Sequence, residues 1–181
     1  MITTSQIRAH VDSYLRRHPG DAARIAALAG ALAAPDDLTS RLRFAGHVTC
    51  SPIVLDPDRH VLHIRHNTLH AWLRPGGHLE PGDTSLIEAA LREVSEETGI
   101  RADALALISD EPVDIDVHPI PANPAKGEPD HQHFDLRYAF TTAARPVIRL
   151  QAEEVDDFAW LPAADIQPAA LAERIAANTL A

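Results

Sequence analysis

The passage that most constrains this chain runs from Gly76 to Ile100, where a glycine-rich loop, Gly76-Gly77-His78-Leu79-Glu80-Pro81-Gly82-Asp83-Thr84-Ser85, feeds an acidic segment. Ser85 and Glu88 have the S-x-x-E spacing of a capping box, which predicts a helix starting near Leu86. Gly99 suits the left-handed residue just past a helix end. At ~100° per residue, Glu93, Glu96 and Glu97 fall within an arc of roughly 100°, while Ile87, Ala90, Leu91 and Val94 gather on a different side. One face is therefore suited to a core and another to charge. Carboxylates crowded on one short face repel each other, and a divalent cation between them relieves the repulsion. All-oxygen ligands select hard ions, so Mg²⁺ or Mn²⁺ is the expected occupant, with water or phosphate oxygens filling the remaining positions. Glycines let the loop backbone approach the same ion or a phosphate.

Upstream, Ile7, Val11 and Leu15 stand four apart after a Thr3/Thr4/Ser5 cluster, so a helix is expected over 5–17, ending before Pro19-Gly20. Asp21 is expected to cap a second, alanine-rich helix reaching about Ala33, with Ile25, Leu28 and Leu32 on one stripe. Pro35-Asp36-Asp37 breaks the pattern, setting 1–40 apart as a helical extension and leaving 41–181 as the main domain. Strands then follow. His47–Leu55 and His60–Arg65 read as a hairpin about Asp56-Pro57-Asp58, a third strand is expected at Leu69–Leu73, and period-2 alternation marks Val113–Val117 and His133–Thr141. A last strand at Val155–Leu161 and a closing helix within Ala163–Ala177 complete an α+β chain around one sheet. Pro119–His131, with four prolines, is expected to be a long ordered loop of the kind that lines or covers sites.

Composition narrows the partners. Sixteen Lys and Arg against 26 Asp and Glu give a formal charge of −10, which argues against nucleic-acid polymers and anionic membranes. The single Cys50 allows no internal disulfide and no cysteine metal cluster, which suits a reducing cytoplasm. No apolar run reaches the ~18 residues a membrane span needs.

Gly76-Gly77, Arg92-Glu93, Glu96-Glu97 and Gly99-Ile100 together resemble the signature of the Nudix hydrolases, G-x5-E-x7-R-E-U-x-E-E-x-G-U with U a bulky aliphatic. The resemblance extends more loosely over 46–165, through Trp72-Leu73-Arg74-Pro75 before the glycines and Phe158-Ala159-Trp160-Leu161 near the end. It implies an α/β/α sandwich around a mixed sheet, with the two-helix extension outside it. Two departures stand out: Asp83 replaces the first Glu, and eight residues instead of seven separate it from Arg92. Because Arg92 through Ile100 keep the family register, the extra residue is expected around Thr84-Ser85, before or at the helix cap.

By resemblance, Glu96 and Glu97 would ligate the metal with the Gly77 carbonyl as a backbone ligand. Glu93 would be a further ligand or the base for water, and Arg92 would orient a carboxylate. The implied reaction is pyrophosphohydrolysis of a nucleoside-diphosphate derivative, NDP-X, by metal-activated water attacking phosphorus. Since the base varies within the family, Glu128, Asp130, Glu153 and Glu154 are further candidates for it.

Weaker signals lie elsewhere. His131, His133 and Asp135 alternate along a strand and share one face, as phosphate contacts or a metal triad would, and His118 joins them if the proline-rich loop folds back. Arg65, His66, His70 and Arg74 flank the third strand as phosphate contacts. Trp72 and Trp160 read as core or rim packing. Two rival functions remain open at this level: a non-hydrolytic sensor of a nucleotide derivative, and an enzyme like the isopentenyl-diphosphate isomerases, which use Cys and Glu. Cys50 has only His47 near it in sequence and reads as a buried, inert thiol. The apolar stripe of 1–40 must be buried against the sheet, the substrate cleft or a second copy, so monomer and homodimer are both open.

Overall fold

The computed structural model describes residues 1–178. Its helices are α1 (Thr4–Arg17), α2 (Ala26–Ala33), α3 (Leu86–Thr98) and α4 (Ala169–Asn178). The strands are β1 (His47–Leu55), β2 (His60–His66), β3 (Ala71–Leu73), β4 (Gly77–His78), β5 (Ala106–Leu107), β6 (Asp114–Ile120), β7 (His131–Thr141) and β8 (Val155–Pro162). They form one mixed sheet in the order β3-β2-β1-β7-β5, with β4 also on β1, β6 on β7 and β8 on β2. This is the α+β architecture the sequence implies.

The axis of the sheet is β1, which runs parallel to β7 from His47↔His133 to Leu55↔Thr141. The expected β1–β2 hairpin closes only at its turn end, where Leu55 pairs with Val61. Farther along, β2 turns to β3 and β8, and β4 pairs with the other end of β1 at Thr49↔His78 and Cys50↔Gly77. Pro52, which has no amide to donate, falls in the stretch of β1 between those two partners.

Alternation along β1 and β7 separates two faces. Val48, Cys50, Phe134, Leu136, Tyr138 and Phe140 bury against α1, α2 and the apolar side of α3. On the opposite face Ile53, Leu55 and Ala139 pack on Leu171 and Ile175 of α4. The other half of that face is polar: His47, Thr49 and Ser51 on β1, and His131, His133, Asp135 and Arg137 on β7.

The extension packs on the sheet. Thr3 caps α1 in a full capping box with Gln6, and Ile7, Val11, Tyr14, Leu28 and Leu32 enter the same core as α3. Full burial of such side chains contributes roughly 1.5–3 kcal/mol each, enough to hold two short helices that would be marginal alone. Asp21 does not cap α2. It closes a 3₁₀ turn at Pro19–Asp21, and α2 begins at Ala26 without a side-chain cap. The carboxylate bonds instead to Tyr14, Arg24 and Arg174, whose cationic and phenolic donors outcompete a helix amide.

The acidic helix α3 starts and stops where its signals place it. Ser85 Oγ accepts the Glu88 amide at 3.1 Å, and Gly99 takes φ +69°. The box is only half formed, because Glu88 reaches one residue further back to the Thr84 amide, at 2.9 Å, and to the Thr84 hydroxyl. Thr84 and Ser85 therefore precede the first helical residue. The prolines of Pro119–His131 are absorbed differently from expectation: β6 continues through Pro119 and Ile120, and the connection to β7 is a hairpin loop with a 3₁₀ turn at Pro124–Lys126.

Candidate active site

Arg92 organises the acidic face of α3. Its Nε and Nη2 donate to the two oxygens of Asp83 at 3.1 Å each, Nη2 also reaches the His78 carbonyl at 2.8 Å, and Nη1 lies 2.9 Å from both Glu93 and Glu96. Asp83 is 3% exposed and also accepts the Glu80 amide at 2.7 Å. The loop has thus taken up the additional residue, and Asp83 still grips Arg92 with both oxygens.

The three glutamates differ in environment. Glu96 is half exposed, Glu93 is mostly covered and Glu97 is buried. Glu97 accepts the Gly76 amide at 3.1 Å. Burial, reinforced by Glu96 and Glu80, outweighs the attraction of Arg92 and pushes the Glu93 carboxyl up to about 7. Burial likewise pushes Glu97 up to about 8, with Glu93, Glu154 and Glu96 adding repulsion against the help of the Gly76 amide. Glycine is required beside them. Gly76 has φ +154°, and a Cβ there would lie 2.5 Å from Ser51 Oγ, while a Cβ on Gly77 would meet the Glu93 carboxylate at 2.6 Å. An oxygen donor set that resists its own charge, against bare backbone, fits a hard divalent cation.

These groups line one side of a cleft of about 700 Å³ whose other side is the polar half of β1 and β7. There Asp135 accepts Ser51 Oγ at 2.8 Å and Arg137 Nε at 2.9 Å, and Arg137 also bonds Asp114 at 2.9 Å and Asp116 at 2.7 Å. Asp135 and Arg137 are committed to each other and form a rigid floor. Arg74 is not so engaged: its buried Nε has no hydrogen-bond partner, and burial, with the charge of Arg137, lowers its pKa. His133 and His78 also line the cleft, and burial plus neighbouring imidazoles push them down to about 3 and about 4, so both are neutral at pH 7.

A sequence model of the NUDIX domain matches residues 46–180, well over half of the chain. The chain belongs to the Nudix family. A probable DHNTP pyrophosphohydrolase of Lactococcus lactis subsp. cremoris is 35% identical over 91 residues, 50% of this chain and 51% of that protein. A mouse asymmetrical bis(5'-nucleosyl)-tetraphosphatase is 52% identical over 40 residues, 22% of this chain and 26% of that protein. The chain thus spans about half or less of the length of these relatives. Among solved structures, a C. elegans Ap4A hydrolase binary complex superposes with TM-score 0.58 at 17% identity, covering 74% of this chain and 97% of that one. The E. coli dihydroneopterin triphosphate pyrophosphohydrolase gives 0.51 at 24% identity, covering 68% and 82%. At these identities the structures speak for the Nudix fold.

The Nudix loop and helix bring Gly77, Arg92, Glu93, Glu96 and Glu97 into one lining, together with Arg74, His66, Asp135 and His133. Arg65 is not brought in: it is exposed and faces Asp156 at 3.7 Å. His131 is buried behind the lining, its ring 5.1 Å from that of His133. The expected His131/His133/Asp135 triad divides, because Arg137 claims Asp135 while the two histidines meet each other through their Nε2 atoms at 3.3 Å. Of the alternative bases, Glu154 lines the cleft and Glu128 is held by Arg41 at 2.8 Å, while Asp130 and Glu153 are exposed outside it. Trp72 is 44% exposed on β3, and Arg145 stacks over Trp160. Cys50 is fully buried in the core, where burial and nearby carboxylates raise its pKa, so it lacks the access the isomerase reading needs. Sequence reasoning missed His47, His78, Ser51 and Arg137. The alternation of His47, Thr49 and Ser51 against Val48 and Cys50 was the signal for two of them.

Proposed function

We propose that this Nudix protein is a metal-dependent pyrophosphohydrolase that cleaves a phosphoanhydride bond of an NDP-X-type substrate. The observation that carries this reading is the convergence of Glu93 and Glu96 on one guanidinium, with Glu97 next to them on the Gly76 amide, at the wall of a cleft with an unengaged arginine. The names of the curated relatives, a pyrophosphohydrolase and a tetraphosphatase, agree with a substrate that carries linked phosphates.

Glu96, Glu97 and the Gly77 carbonyl would hold Mg²⁺ or Mn²⁺, with Glu93 as a further ligand or as the base. Such an ion, when bound, lowers the pKa of water and neutralises charge on the leaving phosphate. The chain's own residues do the rest. Arg92 ties Glu93 and Glu96 to Asp83 and the loop while the Gly76 amide holds Glu97, so little reorganisation is left for the reaction itself. Where Glu93 is the base, its carboxylate, held by Arg92 beside Gly77, would accept the proton of the attacking water. Arg74 offers its free guanidinium edge to phosphate oxygens. The division into an extension over 1–40 and a catalytic domain over 41–181 belongs to the same proposal.

The test is phosphate and pyrophosphate release from nucleoside triphosphates, nucleotide sugars, dinucleoside polyphosphates and dihydroneopterin triphosphate, with Mg²⁺ or Mn²⁺. Turnover that needs the ion and falls by roughly 10²-fold or more in Glu97→Gln is expected. An inert wild type that still binds a nucleotide would favour the sensor reading.

A further inference from the structure

At the inner wall of the cleft, five imidazoles meet from four strands: His47 of β1, His78 of β4, His118 of β6, and His131 and His133 of β7. In three of them, His47, His78 and His133, one nitrogen apiece lies within 4.8 Å of the other two, and the ring centroids stand 4.8–5.1 Å apart. The outer hydrogen bonds orient the cluster. His47 Nδ1 is 3.3 Å from the Arg43 carbonyl and His131 Nδ1 is 2.8 Å from that of Pro129. A carbonyl only accepts, so each Nδ1 carries the proton and each Nε2 keeps its lone pair; that of His131 accepts from His133 Nε2 at 3.3 Å, which leaves the lone pair of His133 on its Nδ1. His118 Nδ1 faces the Asp116 carboxylate at 3.1 Å, the carboxylate–histidine pairing that orients metal-binding imidazoles. His47 is fully buried, and its Nε2 has no hydrogen-bond partner at all. A lone pair so placed forgoes an interaction worth about 1–3 kcal/mol unless something electrophilic meets it.

We propose that His47, His78 and His133 form a second metal site, for a borderline divalent transition ion of the Zn²⁺ class, separate from the carboxylate face of α3. Imidazole nitrogens suit Zn²⁺, whereas the oxygen-only glutamate set suits Mg²⁺ or Mn²⁺, so the two sites sort ions by ligand chemistry. Tetrahedral Zn²⁺ with Zn–N near 2.0–2.1 Å places its ligand atoms ~3.3 Å apart, a contraction that side-chain rotation of His78 and His133 supplies. Those two line the cleft, so the fourth position opens toward it, where a water completes the shell. The site sits next to the other one, since His78 follows Gly77 and its carbonyl is held by Arg92.

The experiment is equilibrium dialysis of tag-free full-length protein against Zn²⁺ with a large excess of Mg²⁺, followed by metal analysis. The absorption of Co²⁺-substituted protein serves as a second readout. Wild type and a Glu96→Gln/Glu97→Gln variant are expected to retain one Zn²⁺ per chain and to give the intense visible bands of tetrahedral Co²⁺. His78→Gln and His133→Gln, checked for native circular dichroism, should each bind at least ~10-fold more weakly. His78, which sits on the two-residue β4 at the cleft wall, gives a variant that tests the site even if His133→Gln misfolds. Absence of stoichiometric Zn²⁺ in wild type, retention in both histidine variants, or loss in the glutamate variant would each overturn the proposal. None of these readouts requires the protein to hydrolyse anything.

Discussion

At the scale of single residues, Arg92 decides how well the acidic face is organised. Its guanidinium serves four acceptor groups at once, Asp83, His78, Glu93 and Glu96, through a planar fork that no ammonium group can imitate. Arg92→Lys keeps the charge but loses this reach, so kcat under saturating Mg²⁺ is expected to fall by roughly 10–100-fold with the fold intact. Unchanged kcat would mean that charge alone suffices. Asp83→Glu restores the residue of the family pattern, yet it is not expected to raise activity. The buried Asp83 already binds Arg92 through both oxygens while accepting the Glu80 amide, and another methylene would overfill that space.

At the scale of elements, two glycines should respond to alanine with opposite sign. Gly99 ends α3 at φ +69°, and a Cβ there would sit 2.9 Å from that of Arg149. Gly99→Ala is expected to cost about 1–2 kcal/mol in urea unfolding. Gly30 lies inside α2 with nothing within 4 Å of its missing Cβ, so Gly30→Ala should stabilise by about 0.5–1 kcal/mol. The signals that fix α3 are local, a cap at Ser85, a stop at Gly99 and a 3.6-residue period between them, which is why the helix and its three glutamates were legible in sequence. β7 was legible for the same reason, by its period of two. By contrast, β4 and β5 are two residues each and exist only by pairing with β1 and β7, so no local pattern announces them. The parting of β1 from β2, which gives β4 its place beside β1, is likewise a matter of partners far along the chain. Asp21 was misread because its partner Arg174 lies 153 positions away, while its capping signature is local.

At the scale of the molecule, that misreading exposes the tie between the extension and the cleft. Asp21 and Arg24 from the extension, Asp114 and Asp116 on β6, Asp135 and Arg137 on β7, and Arg174 on α4 form one ionic network ending at the cleft floor. Burying charges from so many layers is favourable only when each is paired, so removing one member leaves its partners exposed to the full cost of desolvation. Asp21 gives this a pH signature. Burial raises its carboxyl, but hydrogen bonds from Arg24 and Tyr14 and the charges of Arg24 and Arg174 outweigh it and bring the pKa from 3.8 to about 2. A carboxylate depressed on folding stabilises the native state above its unfolded pKa and loses that contribution as pH falls through the folded one. The linkage amounts to roughly 2 kcal/mol. The gap in urea stability between wild type and Asp21→Asn should therefore be full at pH 6, shrink between about pH 4 and pH 2, and largely vanish below that. Tyr14 titrates far above this window, and Asp116, which His118 and Arg137 hold well below the usual carboxylate range, is common to both proteins, so Asp21 should supply the difference between them. A gap that stays constant over the whole range would show that Asp21 contributes shape without charge, and that the extension is held by its apolar stripe alone.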